Sequence, residues 1–332
     1  MEKRKEIDFI NVILCIDVML AHILSRSVET LDRTRLAYAA VFIPSRLMSM
    51  AVQSFIFLSA FKYFMRYSSG GLNYGKFIVS RTKTVILPYI FWNIIYYLCL
   101  IPLGFFIFNP VELAKYILTG SMISPFYFVI IIFQFYLLMP FWIWLVNKVD
   151  KKILLPAALI VMVLFGRYMS YWWNDRIFLK YIFYWLMGCC AGADAEAFLN
   201  TVKKYKWLIS AAFIALAVCN GILTWLNSCG IKVGANLEIL HISYCFVTIL
   251  FLFTIALWKS ELVVENSLFR LINRQSYNIF LSHCLMLYFA DNILLDMSIV
   301  ANSLVLPFRC CFCIGGMLGL WGVYDRISRQ KT

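Results

Sequence analysis

Charged residues are scarce in this sequence of 332 residues, and that scarcity decides the class of protein. Only 14% of the residues are charged, whereas 63% are hydrophobic. A soluble globular domain has about 25% charged residues, so this chain has too little polar surface to cover a globule in water. The composition excludes a soluble enzyme, a disordered chain, collagen and a DNA-binding domain.

Uncharged runs of bilayer length occupy 84–111, 116–147, 207–231 and 239–258. About 20 apolar residues in a helix cross the roughly 30 Å of hydrocarbon in a bilayer. The runs are continuous rather than alternating, which argues against a barrel. We predict an all-α polytopic bundle, with residues 1–332 as a single membrane-embedded domain. The ten predicted spans are 8–25, 43–64, 84–106, 124–146, 153–173, 177–194, 206–226, 239–258, 275–295 and 302–324.

Basic residues outnumber acidic ones by 30 to 17, and their positions indicate topology rather than nucleic-acid binding. They cluster between the apolar runs. With the N-terminus inside, twenty of the thirty fall on the inner side, a bias typical of cytoplasmic loops. The bias and the even number of spans predict that both termini are cytoplasmic.

The eleven cysteines show no repeated metal-ligand spacing, and several lie inside apolar runs. A free cysteine in such a run usually packs as a small hydrophobic residue. We therefore expect no metal site and no permanently bound cofactor.

Ionisable residues inside a bilayer are costly, so each one is a candidate for function. The first span contains Asp8, Asn11, Asp17 and His22. At about 100° per residue, Asp8, Asn11 and His22 share one helix face, whereas Asp17 points about 140° away from His22. His22 is about 16 Å along the axis from Asn11. An imidazole changes charge near neutral pH, so His22 is either a base or a helix-packing residue.

The other two histidines and one late arginine also lie in predicted spans. His283 is about 13 Å beyond Arg274, and it is either catalytic or a helix–helix hydrogen-bonding residue. His241 follows Glu238 by three residues, which suggests a solvated pair at the outer interface. Arg309 either extends its side chain toward the interface or contacts substrate.

Arg81 and Lys83 belong to a basic cluster before the third predicted span. The cluster is either a topology signal or a docking surface for an anionic cytosolic donor, because grouped basic side chains attract phosphates.

Four segments together resemble the integral-membrane acyltransferase-3 family. They are IDFIN at 7–11 with VMLAH at 18–22, QSFIFLSAF at 53–61, RTKTVILPY at 81–89 and SYNIFLSH at 276–283. A looser match is FYF at 126–128 with FYLLMP at 135–140. The resemblance spans residues 7–290 and is greatest to members that modify exopolysaccharides, of the O-acetyl- or O-succinyltransferase type. Asn11 stands where the family has arginine, and Ala60 where it usually has glycine. The amide of Asn11 can hydrogen-bond but carries no charge.

The resemblance implies transfer of an acetyl or succinyl group from acyl-CoA, as co-substrate, to a hydroxyl of a cell-surface or exopolysaccharide sugar. His22 is the expected base, and His283 or Asn11 is expected to stabilise the oxyanion. The expected substrate-binding residues are Asn11, Asp8, Arg81, Lys83, Ser59 and Arg309. The expected partners are acyl-CoA, a polysaccharide or lipid-linked glycan, the lipid bilayer and a glycan synthase complex, with no nucleic acid. A multi-pass protein of the bacterial cytoplasmic membrane is implied. A non-enzymatic exporter or flippase for a lipid-linked or nascent polysaccharide is the alternative.

Overall fold

The computed structural model describes residues 4–169, 173–296 and 302–330, and within these ranges the chain is helical with no strand. The α-helices are α1 (Lys5–Val28), α2 (Leu36–Met48), α3 (Ala51–Tyr67), α4 (Tyr74–Arg81), α5 (Leu87–Leu100), α6 (Pro110–Thr119), α7 (Tyr127–Leu137), α8 (Met139–Lys148), α9 (Lys151–Tyr168), α10 (Ile182–Ala193), α11 (Ala195–Lys204), α12 (Lys206–Ser228), α13 (Leu237–Lys259), α14 (Leu262–Glu265), α15 (Ser267–Asp296) and α16 (Asn302–Gln330). The predicted all-α class is confirmed.

By length and composition, seven helical stretches of the described chain can cross a membrane, or nine if each of two bent helix pairs forms one span. The bent pairs are Pro110–Thr119 with Ser124–Leu137, at 55°, and Phe178–Ala193 with Ala195–Lys204, at 102°. The prediction of ten spans is therefore wrong in number. The predicted spans 124–146 and 177–194 fall on these bent pairs, because an apolar run in the sequence does not show where the helix axis turns.

Helix α9, which overlaps the predicted span 153–173, is not among these candidates. Its 18 residues include Lys151, Lys152 and Arg167, so the uncharged stretch is shorter than the about 20 residues that a bilayer needs. Residues 170–172 of that predicted span lie outside the described residues.

The chain divides into two compact units. The first is continuous, from Phe55 to Phe198, and the second combines the segment ending at Ser54 with Leu199–Thr332. In the first unit α10 packs against α3 so closely that a Cβ at Gly188 would come within 2.4 Å of the Phe57 carbonyl oxygen. Ala60 contacts the same glycine, since that added Cβ would lie 2.8 Å from its methyl group. The small side chain thus allows close helix packing, as small residues do in membrane bundles.

The second unit is organised around α1, which packs against α2, α13, α15 and α16. Helices α1 and α15 run in the same direction, because Asn11 contacts Ser276 whereas Arg26, farther along α1, contacts Asp291. Helix α16 runs the opposite way along α15, with Arg274 bonded to Asp325 and Asp291 bonded to Arg309. Helix α15 thus supplies polar partners to one face of α1, at Asn11 and at Arg26.

Candidate active site

Two histidines from α1 and α15 meet inside the second unit. The ring centroids of His22 and His283 are 5.2 Å apart, with their planes inclined at 47°. The parallel packing of α1 and α15 sets this register, since Cys15 Sγ also donates to the carbonyl oxygen of Ser276, 3.8 Å away. The two histidines singled out in the sequence therefore belong to one site.

Backbone contacts fix the proton position on His283. Its Nδ1 lies 3.1 Å from the carbonyl oxygen of Ile279 and 2.8 Å from that of Phe280. A carbonyl oxygen only accepts hydrogen bonds, so Nδ1 must carry the proton. In the neutral ring, Nε2 is then an acceptor. Neutral His283 therefore has no N–H left with which to stabilise an oxyanion.

The two rings differ in accessibility. His283 is fully buried, whereas His22 keeps part of its surface accessible. Cys284 adds a thiol, whose Sγ lies 3.3 Å from Nε2 of His283. Ligand atoms of these three residues lie within 4.8 Å of one another, and two imidazoles with a thiol form a donor set that zinc accepts. The accessible ring suits proton exchange with a substrate.

Asn11 lies in the α1–α15 contact rather than beside the histidines. Its Nδ2 donates to Asn273 Oδ1 and to Ser276 Oγ, both at 2.9 Å. Both N–H groups of the amide are occupied, and His22 lies about 16 Å farther along the helix. Asn11 therefore joins two helices, and it is not positioned to stabilise an oxyanion beside His22. Asp8 lies in the first turn of α1.

A buried charged cluster lies one helical turn beyond His22, and it contains Arg26, Ser27, Asp291 and Arg309. Asp291 accepts from Nε of Arg26 at 2.9 Å and from Nε of Arg309 at 2.7 Å. Arg309 also donates to Ser27 Oγ at 3.1 Å. Only 6% of Arg309 is exposed, so it does not extend toward the interface. The sequence singled out Arg309 but gave no sign of its partner Asp291, which lies on a different helix, α15.

In the first unit, Ser59 and Arg81 belong to one aromatic network. Ser59 Oγ and the Tyr136 hydroxyl are 2.9 Å apart, and the Tyr63 and Tyr136 rings pack edge to face. Arg81 donates through Nη1 to the Tyr63 hydroxyl and lies over that ring. Its Nε is buried without a hydrogen-bond partner among the described residues.

Lys83 is exposed and falls in a π-helical turn, Thr82–Ile86, between α4 and α5. Single π-turns are frequent at functional sites. Tyr63 and Tyr136 were missed by the sequence reasoning, since a tyrosine in an aromatic-rich span gives no distinguishing signal.

The opposite face of α1 carries Asp17, whose Oδ2 is buried without a hydrogen-bond partner among the described residues. Nδ1 of His241, on α13, is likewise buried without a hydrogen-bond partner among the described residues. The other ring nitrogen, Nε2, lies 3.5 Å from Cys245 Sγ. The expected solvated pair of His241 with Glu238 is thus wrong, because the ring packs along its own helix toward Cys245. The His22 site and the Asp17 face are distinct, as the helical spacing predicts.

The described chain is thus a multi-pass membrane protein with a pair of histidines between α1 and α15 in its second unit and an arginine–tyrosine network in its first unit. The sequence profile of the acyltransferase-3 family, described as an acyltransferase domain, matches residues 4–325 and so covers both units. The chain belongs to this family. This confirms the resemblance and the setting in a bacterial membrane.

Two relatives are similar over nearly the whole chain. YfiQ of Bacillus subtilis (strain 168), whose provisional name describes a membrane-bound acyltransferase, is 25% identical over 96% of this chain and 91% of its own. A Staphylococcus aureus (strain Mu50 / ATCC 700699) protein, whose provisional name describes a poly-beta-1,6-N-acetyl-D-glucosamine export protein, is 22% identical over 95% of this chain and 92% of its own. No solved structure matches the chain.

Proposed function

We propose that the protein transfers an acetyl or succinyl group from acyl-CoA to a hydroxyl of a cell-surface or exopolysaccharide sugar. The observation that carries the proposal is the pairing of His22 with His283, 5.2 Å apart between centroids, in a chain of the acyltransferase-3 family. A sugar hydroxyl is a weak nucleophile and needs a positioned base. The histidine pair supplies one.

The reaction joins the sugar oxygen to the carbonyl carbon of the thioester and breaks the bond from that carbon to sulfur. His22 takes the hydroxyl proton as the new bond forms and then gives it to the departing CoA thiolate. No net proton, electron or water is consumed. His22 is the accessible member of the pair, so we assign it this role.

His283 is assigned the role of a positioning residue. Its Nε2 is an acceptor because Nδ1 donates to backbone carbonyls. The Cys284 thiol lies 3.3 Å from this Nε2, so His283 is held on both sides of its ring and orients His22 by ring packing, at 5.2 Å between centroids. This role replaces the expected oxyanion role, for which neutral His283 lacks a donor.

We assign Arg81 and Lys83 to the phosphates of the CoA donor, with Ser59 joined to the same network through Tyr136. Phosphates attract guanidinium and ammonium groups, and a cytoplasmic position would suit a cytosolic donor. Arg309, which is bound to Asp291, is assigned to the wall of the site rather than to direct substrate contact. Asp8 remains a predicted substrate-binding residue.

Export of a polysaccharide without acyl transfer is the second candidate. Asn11, where the family has arginine, has both amide N–H groups occupied by helix α15. One relative is named for export of a poly-beta-1,6-N-acetyl-D-glucosamine. The two candidate functions differ in whether the protein breaks a thioester, with His22 as the base.

The test is an acyl-transfer assay with the full chain reconstituted in nanodiscs. The donor is radiolabelled acetyl-CoA or succinyl-CoA, the acceptor is a β-1,6-linked N-acetylglucosamine oligosaccharide, and a chelator keeps zinc from the histidines. We expect His22→Gln to lower the transfer rate by about 100- to 10,000-fold, the usual contribution of a general base. Thr248→Val is the control, because its hydroxyl donates within its own helix to the carbonyl oxygen of Tyr244 at 2.7 Å, and this variant should retain the rate.

Equal rates in wild type and His22→Gln would contradict the assignment of the base. The absence of label transfer in wild type, together with vesicle uptake of the oligosaccharide that His22→Gln leaves unchanged, would favour export instead.

A further inference from the structure

Three side chains that can bind a metal ion converge where α1 packs against α15. One ligand atom from each of His22, His283 and Cys284 lies within 4.8 Å of the other two. The histidine rings are 5.2 Å apart between centroids, and Cys284 Sγ lies 3.3 Å from Nε2 of His283. Because His22 comes from the first helix and the other two residues from α15, no repeated spacing in the sequence indicates this group.

His283 is already oriented as a metal ligand. Its Nδ1–H donates to the carbonyl oxygens of Ile279 and Phe280, so Nε2 is the nitrogen with the lone pair. Histidines that bind metals almost always donate the other ring N–H in this way, which fixes the tautomer and the direction of the ring. His283 therefore needs no change of tautomer to bind an ion through Nε2.

The distances in the group are close to those of a zinc site. Zinc in a tetrahedral site lies about 2.0–2.1 Å from nitrogen and about 2.3 Å from sulfur, which places the ligand atoms about 3.3–3.6 Å apart. The distance of 3.3 Å between His283 Nε2 and Cys284 Sγ already agrees with this range. Separations of up to 4.8 Å leave about 1 Å to close, and a rotation of the partly accessible His22 ring can close it.

The donor set indicates the class of ion. Two imidazoles and a thiolate suit zinc, whereas magnesium and calcium prefer oxygen ligands. On binding, the Cys284 thiol loses its proton to solvent, and the thiolate then cancels one of the two charges of the ion. A metal ion occupies only the space between its ligands, so it requires no larger cavity. The accessible edge of His22 is the side from which the ion, and a water molecule as fourth ligand, would enter.

We propose that His22, His283 and Cys284 form a zinc site with three protein ligands. The site goes beyond the proposed function, since ion binding requires neither an acyl donor nor a glycan. One consequence rests on that function. A neutral imidazole has a single nitrogen with a lone pair, so zinc and the hydroxyl proton of the sugar compete for the same atom of His22. Zinc is therefore an inhibitor of the transfer reaction.

The test uses cobalt(II), which replaces zinc in such sites and absorbs light when a thiolate is bound to it. The full chain, without a histidine tag, is reconstituted in nanodiscs with a phosphine reductant and titrated with cobalt chloride in the absence of acyl-CoA. We expect one equivalent to give a near-ultraviolet charge-transfer band from sulfur to cobalt, which zinc chloride abolishes. Cys284→Ala should abolish the band. His22→Gln should weaken cobalt binding by at least about 10- to 100-fold, the usual cost of removing even an outer partner of a metal ligand.

Cys245→Ala is the matched control. Cys245 is also buried and also lies beside a histidine, with Sγ 3.5 Å from Nε2 of His241, but this pair does not belong to a three-ligand group in the described chain. The variant should keep the band and the cobalt affinity of wild type. Zinc should raise the Tm of wild type and of Cys245→Ala but not that of Cys284→Ala, because a ligand stabilises only a folded protein that binds it.

Several outcomes would overturn the site: no band in wild type, an equal band in Cys284→Ala, loss of the band in Cys245→Ala, or unchanged cobalt affinity in His22→Gln. The proposed function fails separately, because the transfer assay is run with a chelator. A wild type that transfers label but gives no band keeps the function and loses the site. A wild type that gives the band but transfers no label keeps the site and loses the function.

Discussion

The two polar faces of α1 differ in whether their polar side chains are hydrogen-bonded. On the face toward α15, Asn11, Arg26 and their neighbours have bonded partners, and the histidine pair lies between them. On the opposite face Asp17, like Arg46 on α2 and His241 on α13, has a buried atom without a hydrogen-bond partner among the described residues. Both faces come from one helix of 24 residues. The comparison shows that hydrogen-bonded polar groups hold α1 to α15, whereas Asp17 forms no such bond within the described chain.

The paired face explains why the histidines are held in register. Hydrogen bonds of Asn11 below the pair and of Arg26 above it tie α1 to α15 at two levels. A catalytic pair needs this precision, since small displacements of catalytic groups lower rates strongly. Between residues 4 and 330, as far as the structure describes them, no comparable set of hydrogen bonds joins Asp17 to another helix.

The largest effect on stability should come from breaking the charged cluster of the paired face. Asp291→Asn leaves the buried Arg309 without its carboxylate partner and removes the nearer of the two carboxylates beside the partly exposed Arg26, so we expect the free energy of unfolding to fall by about 3–5 kcal/mol. Denaturant unfolding in detergent micelles measures the change. Glu29→Gln is the control, because Glu29 is exposed and its oxygen lies 4.0 Å from Arg26, so this variant should lose less than about 1 kcal/mol.

A smaller loss is expected from an uncharged contact on the same face. Asn11→Leu removes two hydrogen bonds and leaves Asn273 Oδ1 without its donor, so we expect destabilisation of about 1–3 kcal/mol. The same unfolding measurement applies. An unchanged stability would show that the amide contacts do not hold α1 to α15.

The smallest effect, of opposite sign, is expected on the unpaired face. Asp17→Leu replaces a carboxylate that lacks a partner with an apolar side chain, so stability should stay unchanged or rise by up to about 2 kcal/mol. Asn11→Leu, the same kind of replacement on the paired face, is the comparison. Equal destabilisation by both variants would remove the distinction between the faces.

Much of the fold followed from composition and apolar runs. The all-helical membrane class and the first span, 8–25 against Lys5–Val28, were predicted closely because solvation by lipid requires long apolar helices. The number of spans was not, because bends such as the 102° turn at Asp194 occur within runs of similar composition and because charged residues shorten the apolar stretch of α9. The placement of Asp17 opposite His22 followed from helical periodicity alone.

The sequence by itself determined that this chain is a membrane bundle of the acyltransferase-3 family, that His22, His283 and Arg309 lie in predicted spans and that Arg81 precedes one. Only the tertiary structure decided which of these groups meet. His22 and His283 are 261 positions apart, and Arg309 is 18 positions from Asp291. Local patterns fix the face of a helix, but its register against a distant helix is set by packing and hydrogen bonds that exist only in the folded chain.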